Sequence, residues 1–195
     1  MGHPLFWVLL IGGLWALPLF RSLNATLPEP LSGYDSTPLS LQAIPTEGGE
    51  LDLSKLSGHL LILSDLPLAN AVTTETSFGE LRELHMKLRA MAPLLRYLVY
   101  CHGGSKEDLR ALLDRKTARK PSHDFLLDHD REHWDEVRQQ AMSPSARYLL
   151  LDRHGRLRGI YGGEASEVDR LTLEVGQLGN WIGQDPPLGE PLHRS

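Results

Sequence analysis

The chain has 195 residues, of which 41% are hydrophobic and 23% are charged, and its formal net charge is −5. This composition is ordinary for a folded protein with one buried core, and without a dense cluster of Lys and Arg it excludes a nucleic-acid-binding surface. The single cysteine, Cys101, excludes an internal disulfide, a CxxC redox pair and a Cys-rich zinc site.

An uncharged apolar segment lies near the N-terminus, at residues 4–20, and Arg21 follows it. A helix of this length spans about 25 Å, at the short end for a hydrocarbon core of about 30 Å. A cleaved signal peptide is the alternative, but no Lys or Arg precedes the segment and no A-x-A site follows it. We therefore expect an uncleaved, single-pass transmembrane anchor at residues 1–21, with the following domain on the periplasmic or intermembrane-space side.

A spacer at residues 22–49, rich in Pro, Ser, Thr and Gly, leads into the folded domain. The continuous apolar run at residues 60–63 is typical of a buried central strand. The polar residues 65–76 predict a loop. A helix is expected to begin after that loop, at the capping box formed by Ser77 and Glu80.

The later segments continue this alternation of strands and helices. They are a buried strand at residues 94–100, a helix capped by Ser105 and Asp108, a short strand at 125–127, a short helix at 132–142, a hairpin at 147–161 and a last helix capped by Ser166 and Asp169. Such alternation implies parallel strands joined by right-handed crossovers, and the hairpin adds an antiparallel edge. The predicted fold class is therefore α/β, a thioredoxin-like mixed sheet flanked by helices over residues 50–184. A loose tail is expected at 185–195.

From about residue 38 to residue 182 the chain resembles the SCO/SenC family, the membrane-anchored, thioredoxin-like copper chaperones of cytochrome oxidase assembly. The resemblance rests on residues 53–63 (LSKLSGHLLIL), on the predicted helix around residues 81–88 and, most specifically, on the hairpin at 148–161 (YLLLDRHGRLRGIY). The order of anchor, spacer and domain agrees as well. The resemblance implies a place in the biogenesis of a respiratory complex.

The copper ligands of that family are absent from the matching positions. Its members carry two cysteines in the loop after the first central strand, and these positions fall on Asn70 and Thr74; the ligand histidine falls on Ser143. Cu(I) prefers soft thiolates, which amides and hydroxyls do not replace, and dithiol–disulfide exchange needs a second sulfur. We therefore expect no cofactor and no enzyme activity at these positions.

Two other groups of residues are alternative sites for copper or zinc. Cys101 and His102 end the second strand, at the edge where ligands gather in open α/β sheets. His123, His129 and His133 form the second group. A buried Cys beside a loop His explains the first group equally well. The second also fits a solvated helix start capped by an aspartate, because His129 and His133 share a helix face only if the helix begins early.

The sequence favours a non-catalytic, membrane-anchored protein that acts in the assembly of a cytochrome-oxidase-type respiratory complex or as its accessory subunit. Its expected partners are integral membrane subunits of such a complex. The expected contact is the loop at residues 65–76, where Leu66, Leu68 and Val72 are not needed by the predicted core; a loop folded onto its own domain is the alternative. The rival hypotheses are a copper chaperone with a rebuilt site and a thiol enzyme that uses Cys101 alone.

Overall fold

The computed structural model describes residues 38–42, 44–46, 49–116 and 122–179. Its strands are β1 (Pro45–Thr46), β2 (Gly49–Glu50), β3 (Leu60–Pro67), β4 (Leu95–His102), β5 (His123–Leu127), β6 (Tyr148–Leu151) and β7 (Leu157–Tyr161). Its helices are α1 (Ala71–Lys87), α2 (Lys106–Lys116), α3 (Glu132–Gln140) and α4 (Ala165–Gly179). Short 3-10 helices, Leu53–Leu56 and Arg89–Leu94, lead into β3 and β4.

Over the described residues, the strands form one seven-stranded sheet in the order β2-β1-β5-β4-β3-β6-β7. β3 is parallel to β4, from the Leu60–Leu95 pair to the Pro67–His102 pair, and β4 is parallel to β5. β6 is antiparallel to both β3 and β7. The mixed α/β sheet predicted from the sequence is confirmed.

Helices cover both faces of the central strands, which explains why those strands are buried and largely apolar. The steps β3-α1-β4 and β4-α2-β5 move across the sheet in the same direction, so right-handed crossovers place α1 and α2 on one face. Their leucines pack there with Ile62 and Val99 of the sheet and with Val175 of α4. α3 accompanies the return from β5 to β6 and covers the other face, where Trp134 packs with Leu98.

The sheet has two opposite ends, at which different strands and helices begin and finish. We call the end at which β3, β4 and β5 finish and α1, α2 and α3 begin the carboxyl edge. The opposite end, at which β3 and β4 begin, is the amino edge. The β6–β7 turn lies at the amino edge, because Leu151 of antiparallel β6 is opposite Leu61 near the start of β3.

The predicted start of the first long helix is wrong. α1 begins at Ala71, so the expected loop at residues 65–76 shrinks to the few residues between Pro67 and the helix. Asn70 caps α1, whereas Ser77 is buried within it at 7% exposure. The last helix likewise begins at Ala165, ahead of its expected cap Ser166.

Residues at the end of the expected spacer pack against the domain. Ile44 is buried, and Leu39 and Leu41 contact the core on the α3 face. The Leu39 N–H donates to the Gly155 carbonyl in the β6–β7 turn at 3.0 Å. The folded part of the chain therefore begins before residue 50.

The expected anchor at residues 1–21, most of the spacer and the expected tail at residues 185–195 lie outside the described residues. The last residues of the expected domain, from 180 to 184, lie outside them too. Within the described part of the chain, no helix combines the length and the apolar character that a membrane span requires.

The carboxyl edge as candidate functional site

The start of α1 carries two of the positions at which the SCO/SenC resemblance places copper ligands. Asn70 Oδ1 accepts hydrogen bonds from the N–H groups of Val72 at 2.9 Å and Thr73 at 3.4 Å. Thr74 Oγ1 lies within donating distance of the Pro67 carbonyl, at 2.7 Å, and of the Asn70 carbonyl, at 2.8 Å. Both side chains therefore fix the start of the helix.

Ser143, the third such position, lies in the C-terminal cap of α3. Its N–H donates to the Arg138 carbonyl at 3.0 Å, and the Met142 N–H donates to the Gln139 carbonyl at 2.9 Å. Met142 has a left-handed φ of 50° and an exposed side chain. This is the helix-ending motif in which glycine is usual, so position 143 also serves a helix end.

A buried carboxylate near the end of β3, Asp65, connects distant parts of the chain. Its Oδ1 accepts from Arg147 Nη1 at 2.7 Å. Its Oδ2 accepts from Arg131 Nη2 at 3.2 Å and lies 3.3 Å from His102 Nε2. Arg147 Nη2 also donates to Glu80 Oε2 at 3.1 Å. We call these five residues the Asp65 cluster; it joins β3, β4 and α1 to the segments before α3 and β6.

The surroundings of Asp65 favour its charged form. Burial alone would raise the pKa of this carboxyl group, but the hydrogen bond with His102 and the charges of Arg147 and Arg131 hold the pKa below its ordinary value. The pKa of Arg147 is raised for the complementary reason, since the nearby Asp65 carboxylate outweighs the burial of the guanidinium. The charges of the cluster are thus satisfied by one another.

Cys101 is buried in the core at 1% exposure, and its Sγ lies 3.5 Å from the Val99 carbonyl oxygen. Burial raises the pKa of its thiol far above the ordinary value, and the negative charges of Asp128 and Asp65 add to that effect. A nucleophilic cysteine needs an accessible thiolate with a lowered pKa. The geometry around Cys101 provides the opposite.

Backbone hydrogen bonds close the carboxyl edge around the end of β4. They run from Leu68 N–H to the His102 carbonyl at 2.8 Å, from Asp128 N–H to the Cys101 carbonyl at 2.9 Å, and from Gly103 N–H to the His129 carbonyl at 3.1 Å. A Cβ at Gly104 would stand 2.5 Å from Leu68 Cβ, so only glycine allows this close approach. The segments after β3, β4 and β5 thus form one packed unit.

His123 lies apart from the carboxyl edge, at the start of β5. Its ring stacks on Tyr97 of β4 with ring centroids 4.4 Å apart, and it meets the edge of the His85 ring at 4.9 Å. Tyr97 and His123 are neighbours across β4 and β5 near the amino end of both strands. This histidine is therefore separated from His129 and His133, with which it was grouped as an alternative ligand, because those two lie at the carboxyl edge.

His129 and His133 do not share a helix face, because α3 begins only at Glu132. His129 Nδ1 lies 3.1 Å from the Gly104 carbonyl oxygen, whereas His133 Nδ1 lies 3.0 Å from Asp128 Oδ1. Asp128 also accepts from the N–H groups at the start of α3, as predicted for an aspartate cap. Within the described ranges, no group of three or more His, Cys, Asp or Glu side chains could hold a metal ion.

The structure corrects two of the three predicted contact residues. Leu66 is buried in the core at 1% exposure, and Leu68 packs against the same core. They belong to the core because β3 extends to Pro67 and the following loop is held against the end of β4. Val72 differs: in the first turn of α1 it is 76% exposed.

Sequence reasoning missed the Asp65 cluster. Its only local signal is a charged residue near the end of an apolar strand. The partners Arg131 and Arg147 lie 66 and 82 positions further along the chain. Arg131 has a left-handed φ of 65°, a conformation that no sequence pattern here predicts.

Sequence comparison finds no matching family profile and no matching curated protein. Solved structures do match. BsSco, a member of the Sco family of cytochrome c oxidase assembly proteins with an identified disulfide switch, matches with a TM-score of 0.62 and 13% identity, over 78% of this chain and 97% of its own. The chain has the fold of the Sco proteins.

Two further matches define how far this likeness extends. A SCO1/SenC family lipoprotein from Bacillus anthracis str. Ames has a TM-score of 0.62 at 12% identity, covering 78% of this chain and 99% of the lipoprotein. A thioredoxin-family thiol:disulfide interchange protein from Chlorobium tepidum TLS has a TM-score of 0.56 at 10% identity, covering 74% and 97%. At these identities the likeness concerns the fold, and it confirms the predicted thioredoxin-like architecture.

Proposed function

We propose that this protein is a non-catalytic, membrane-anchored thioredoxin-like protein. It acts in the assembly of a cytochrome-oxidase-type respiratory complex, or as an accessory subunit of one. The observation that carries the proposal is a Sco fold whose carboxyl edge is closed by helix caps and ion pairs. The respiratory context is supported by BsSco, which belongs to a family of cytochrome c oxidase assembly proteins.

The chemistry of the carboxyl edge favours binding over catalysis. Asn70 and Thr74 use their polar atoms to cap α1, and the single thiol of the chain, on Cys101, is buried. Disulfide exchange proceeds by attack of an accessible thiolate and needs a second, resolving sulfur for a reversible cycle. We therefore propose that the protein works without redox turnover and without a cofactor, copper included.

The contact with the partner is proposed at the start of α1. Val72 is exposed there, and the surrounding edge is held rigid by the Asp65 cluster. A rigid apolar point loses little conformational entropy when a partner covers it. The apolar segment at residues 4–20 would keep the domain beside an integral membrane partner, on the periplasmic or intermembrane-space side.

The test is purification of the tagged full chain in mild detergent, followed by mass spectrometry of co-purifying proteins. We expect respiratory-complex subunits, and at least a fivefold lower recovery of them with Val72→Asp. Met86→Asp is the matched control, because Met86 is also exposed on α1, at 54%, but near its other end. A monodisperse protein that brings down no respiratory subunit would overturn the proposal.

Metal analysis of the same preparation distinguishes this proposal from the rival hypothesis of a copper chaperone. A copper chaperone with a rebuilt site predicts stoichiometric metal that is lost on His102→Ala or His129→Ala. The proposal made here predicts no bound copper or zinc above the level of a matched blank. Stoichiometric metal in the unaltered chain would contradict a role limited to binding.

A further inference from the structure

The two edges of the sheet carry different exposed charges. At the carboxyl edge, the exposed Asp108 caps α2, the exposed Asp135 pairs with Arg138, and the exposed Lys106 adds one positive charge. Four further acidic side chains are exposed there, in the segments that lead into α2, α3 and α4 or in their first turns: Glu107, Asp130, Glu132 and Glu164. None of them has an ion-pair partner in the part of the chain that the structure describes. At the amino edge, the exposed Arg89 and the half-buried Arg153 are likewise without an ion-pair partner among the described residues, and the exposed Lys55 pairs with Asp52 at 3.3 Å.

Helix dipoles explain only part of this asymmetry. Acidic residues at helix N-termini offset a partial positive charge of about half a unit per helix. Four helices begin at or beside the carboxyl edge, so the dipoles there amount to about two positive charges. The four exposed acids exceed that amount even after Lys106 is set against one of them, and Arg131 and Arg147 are occupied by Asp65. The carboxyl edge therefore keeps an excess of negative charge.

Because the two edges are far apart, a charged surface beside one edge acts mainly on the charges of that edge. β3 has eight residues, which corresponds to a strand about 26 Å long. The screening length at physiological ionic strength is about 8 Å. An anionic surface against one edge therefore acts strongly on that edge and weakly on the other.

The chain outside the structure joins the domain at the amino edge. Residue 38 is the first described residue, and Leu39 is hydrogen-bonded to the β6–β7 turn at Gly155. Sixteen residues, 22–37, separate this point from the end of the predicted anchor, and they span at most about 55 Å. The amino edge is thus the part of the domain nearest in sequence to the membrane segment.

We propose that the amino edge faces an anionic lipid surface, so that the acidic carboxyl edge points away from the membrane. This inference rests on the proposed membrane anchoring and extends it by naming the lipid-facing edge. Repulsion of Glu107, Asp130, Glu132 and Glu164 from the lipid headgroups disfavours the reverse orientation. A partner that reaches the start of α1 would then do so from the aqueous side.

The experiment places one fluorophore at either edge of the full chain reconstituted in vesicles. Ser57→Cys labels the amino edge and Thr73→Cys the carboxyl edge, both at exposed positions, while the buried Cys101 stays unlabelled. Energy transfer to acceptors on the lipid headgroups is measured in phosphatidylcholine vesicles with and without about 30% of the anionic lipid phosphatidylglycerol, which gives the vesicle surface a negative potential. We expect at least threefold stronger transfer from position 57 than from 73 in the anionic vesicles only.

Salt and charge neutralisation provide the controls. The difference should disappear in about 0.5 M salt, where the screening length falls to a few ångströms. The difference should also shrink when the four acids are replaced by Gln or Asn. If that variant does not fold, the salt series on the unaltered chain still tests the orientation. Equal transfer from both positions in anionic vesicles, or a difference unaffected by salt, would overturn the proposed orientation. Release of the protein from the vesicles by alkaline carbonate would instead overturn the anchoring itself, and the orientation with it.

Discussion

Two buried aspartates, Asp65 and Asp152, hold the two ends of the sheet by different means. Asp65, at the carboxyl edge, binds side chains from distant parts of the chain. Asp152, in the β6–β7 turn at the amino edge, accepts from the N–H groups of His154 and Arg156 and from the Nε atoms of Arg156 and Arg158, all at 2.9–3.0 Å. Every partner of Asp152 thus lies within six residues of it.

The difference shows how one residue type serves two levels of structure. The Asp152 interactions form as soon as the hairpin closes, because the turn itself brings the partners together. The Asp65 cluster can form only after β3, β4, α1 and the segments before α3 and β6 have assembled, since it joins all of them. We therefore expect the amino-edge turn to be locally stable and the carboxyl edge to report on the complete fold.

The largest effect is expected from Asp65→Ala. Removing the carboxylate leaves the partly buried Arg147 with only Glu80, and Arg131 with only Asp135, as an ion-pair partner among the described residues, which should lower the free energy of unfolding by about 3–4 kcal/mol. The measurement is denaturant unfolding followed by far-UV circular dichroism. Glu80→Gln is the control: this exposed partner of Arg147 should contribute less than about 1 kcal/mol. Equal losses for the two variants would show that Asp65 is not the centre of the cluster.

Asp152→Ala should cost somewhat less, about 3 kcal/mol, because two charged side chains rather than three share its carboxylate, but one of them is the buried Arg158. The kinetic signature should also differ. We expect Asp152→Ala to slow folding and Asp65→Ala mainly to speed unfolding, which stopped-flow kinetics would separate. The reverse assignment would break the contrast between an early local turn and a late long-range cluster.

Acid should weaken both ends of the sheet. The pKa of Asp152 is lowered, because hydrogen bonds from the backbone of Arg156 and His154 and the charges of Arg158 and Arg156 outweigh its burial. For Asp65 and Asp152 alike, the stabilisation is present above the pKa of the unfolded chain, about 3.9, and is lost as pH falls through the lower folded-state pKa. The free energy of unfolding, measured from about pH 6 downward, should fall less steeply in Asp65→Asn than in the unaltered protein. Identical pH profiles would show that Asp65 does not titrate differently in the two states.

At the start of α1, Asn70→Ala should lower the free energy of unfolding by about 1 kcal/mol, because two N–H groups lose their acceptor. Thr73→Ala is the matched control in the same exposed turn and should leave the unfolding midpoint nearly unchanged. A cost well above that of a single cap would mean that Asn70 also supports the Asp65 cluster. The two kinds of interaction at the carboxyl edge would then be coupled.

The smallest effect is expected at the end of α3, and it is a gain. Met142→Gly relieves a left-handed backbone but makes the unfolded chain more flexible, so we expect a net stabilisation of about 0.5 kcal/mol. Met142→Ala keeps the Cβ atom and should bring no gain. Thermal unfolding of the two variants measures the difference directly. A loss on Met142→Gly would indicate that the exposed thioether makes a stabilising contact.

The parts of the fold that sequence reasoning predicted are those with local causes. The apolar runs predicted β3 and β4, and two apolar segments joined by a short turn with Gly155 predicted the hairpin. The start of α1 was misplaced because Ser77 and Glu80 match a capping box that the helix does not use, whereas Asn70 gives the actual cap. Both capping sequences were visible, and only packing against the core decides between them.

The candidate site was predictable only in part, for a physical reason. The missing thiols at positions 70 and 74 can be read from the sequence, and so can the exposure of Val72 once α1 is correctly placed. The burial of Leu66 and Leu68 depends on how far β3 extends, which no local pattern determined. The Asp65 cluster depends on five parts of the chain meeting at one point, and such convergence leaves no periodic signal in a single sequence.

The burial of Cys101 gives the protein a built-in probe of its own opening. A thiol reagent reaches a buried sulfur only when the structure opens, so under native conditions the labelling rate measures an opening equilibrium. Low denaturant should leave that rate unchanged if the strand-end segments around β4 open locally, and should increase it steeply if the whole sheet must unfold. One natural cysteine thus permits thiol-exchange experiments on the unmodified sequence.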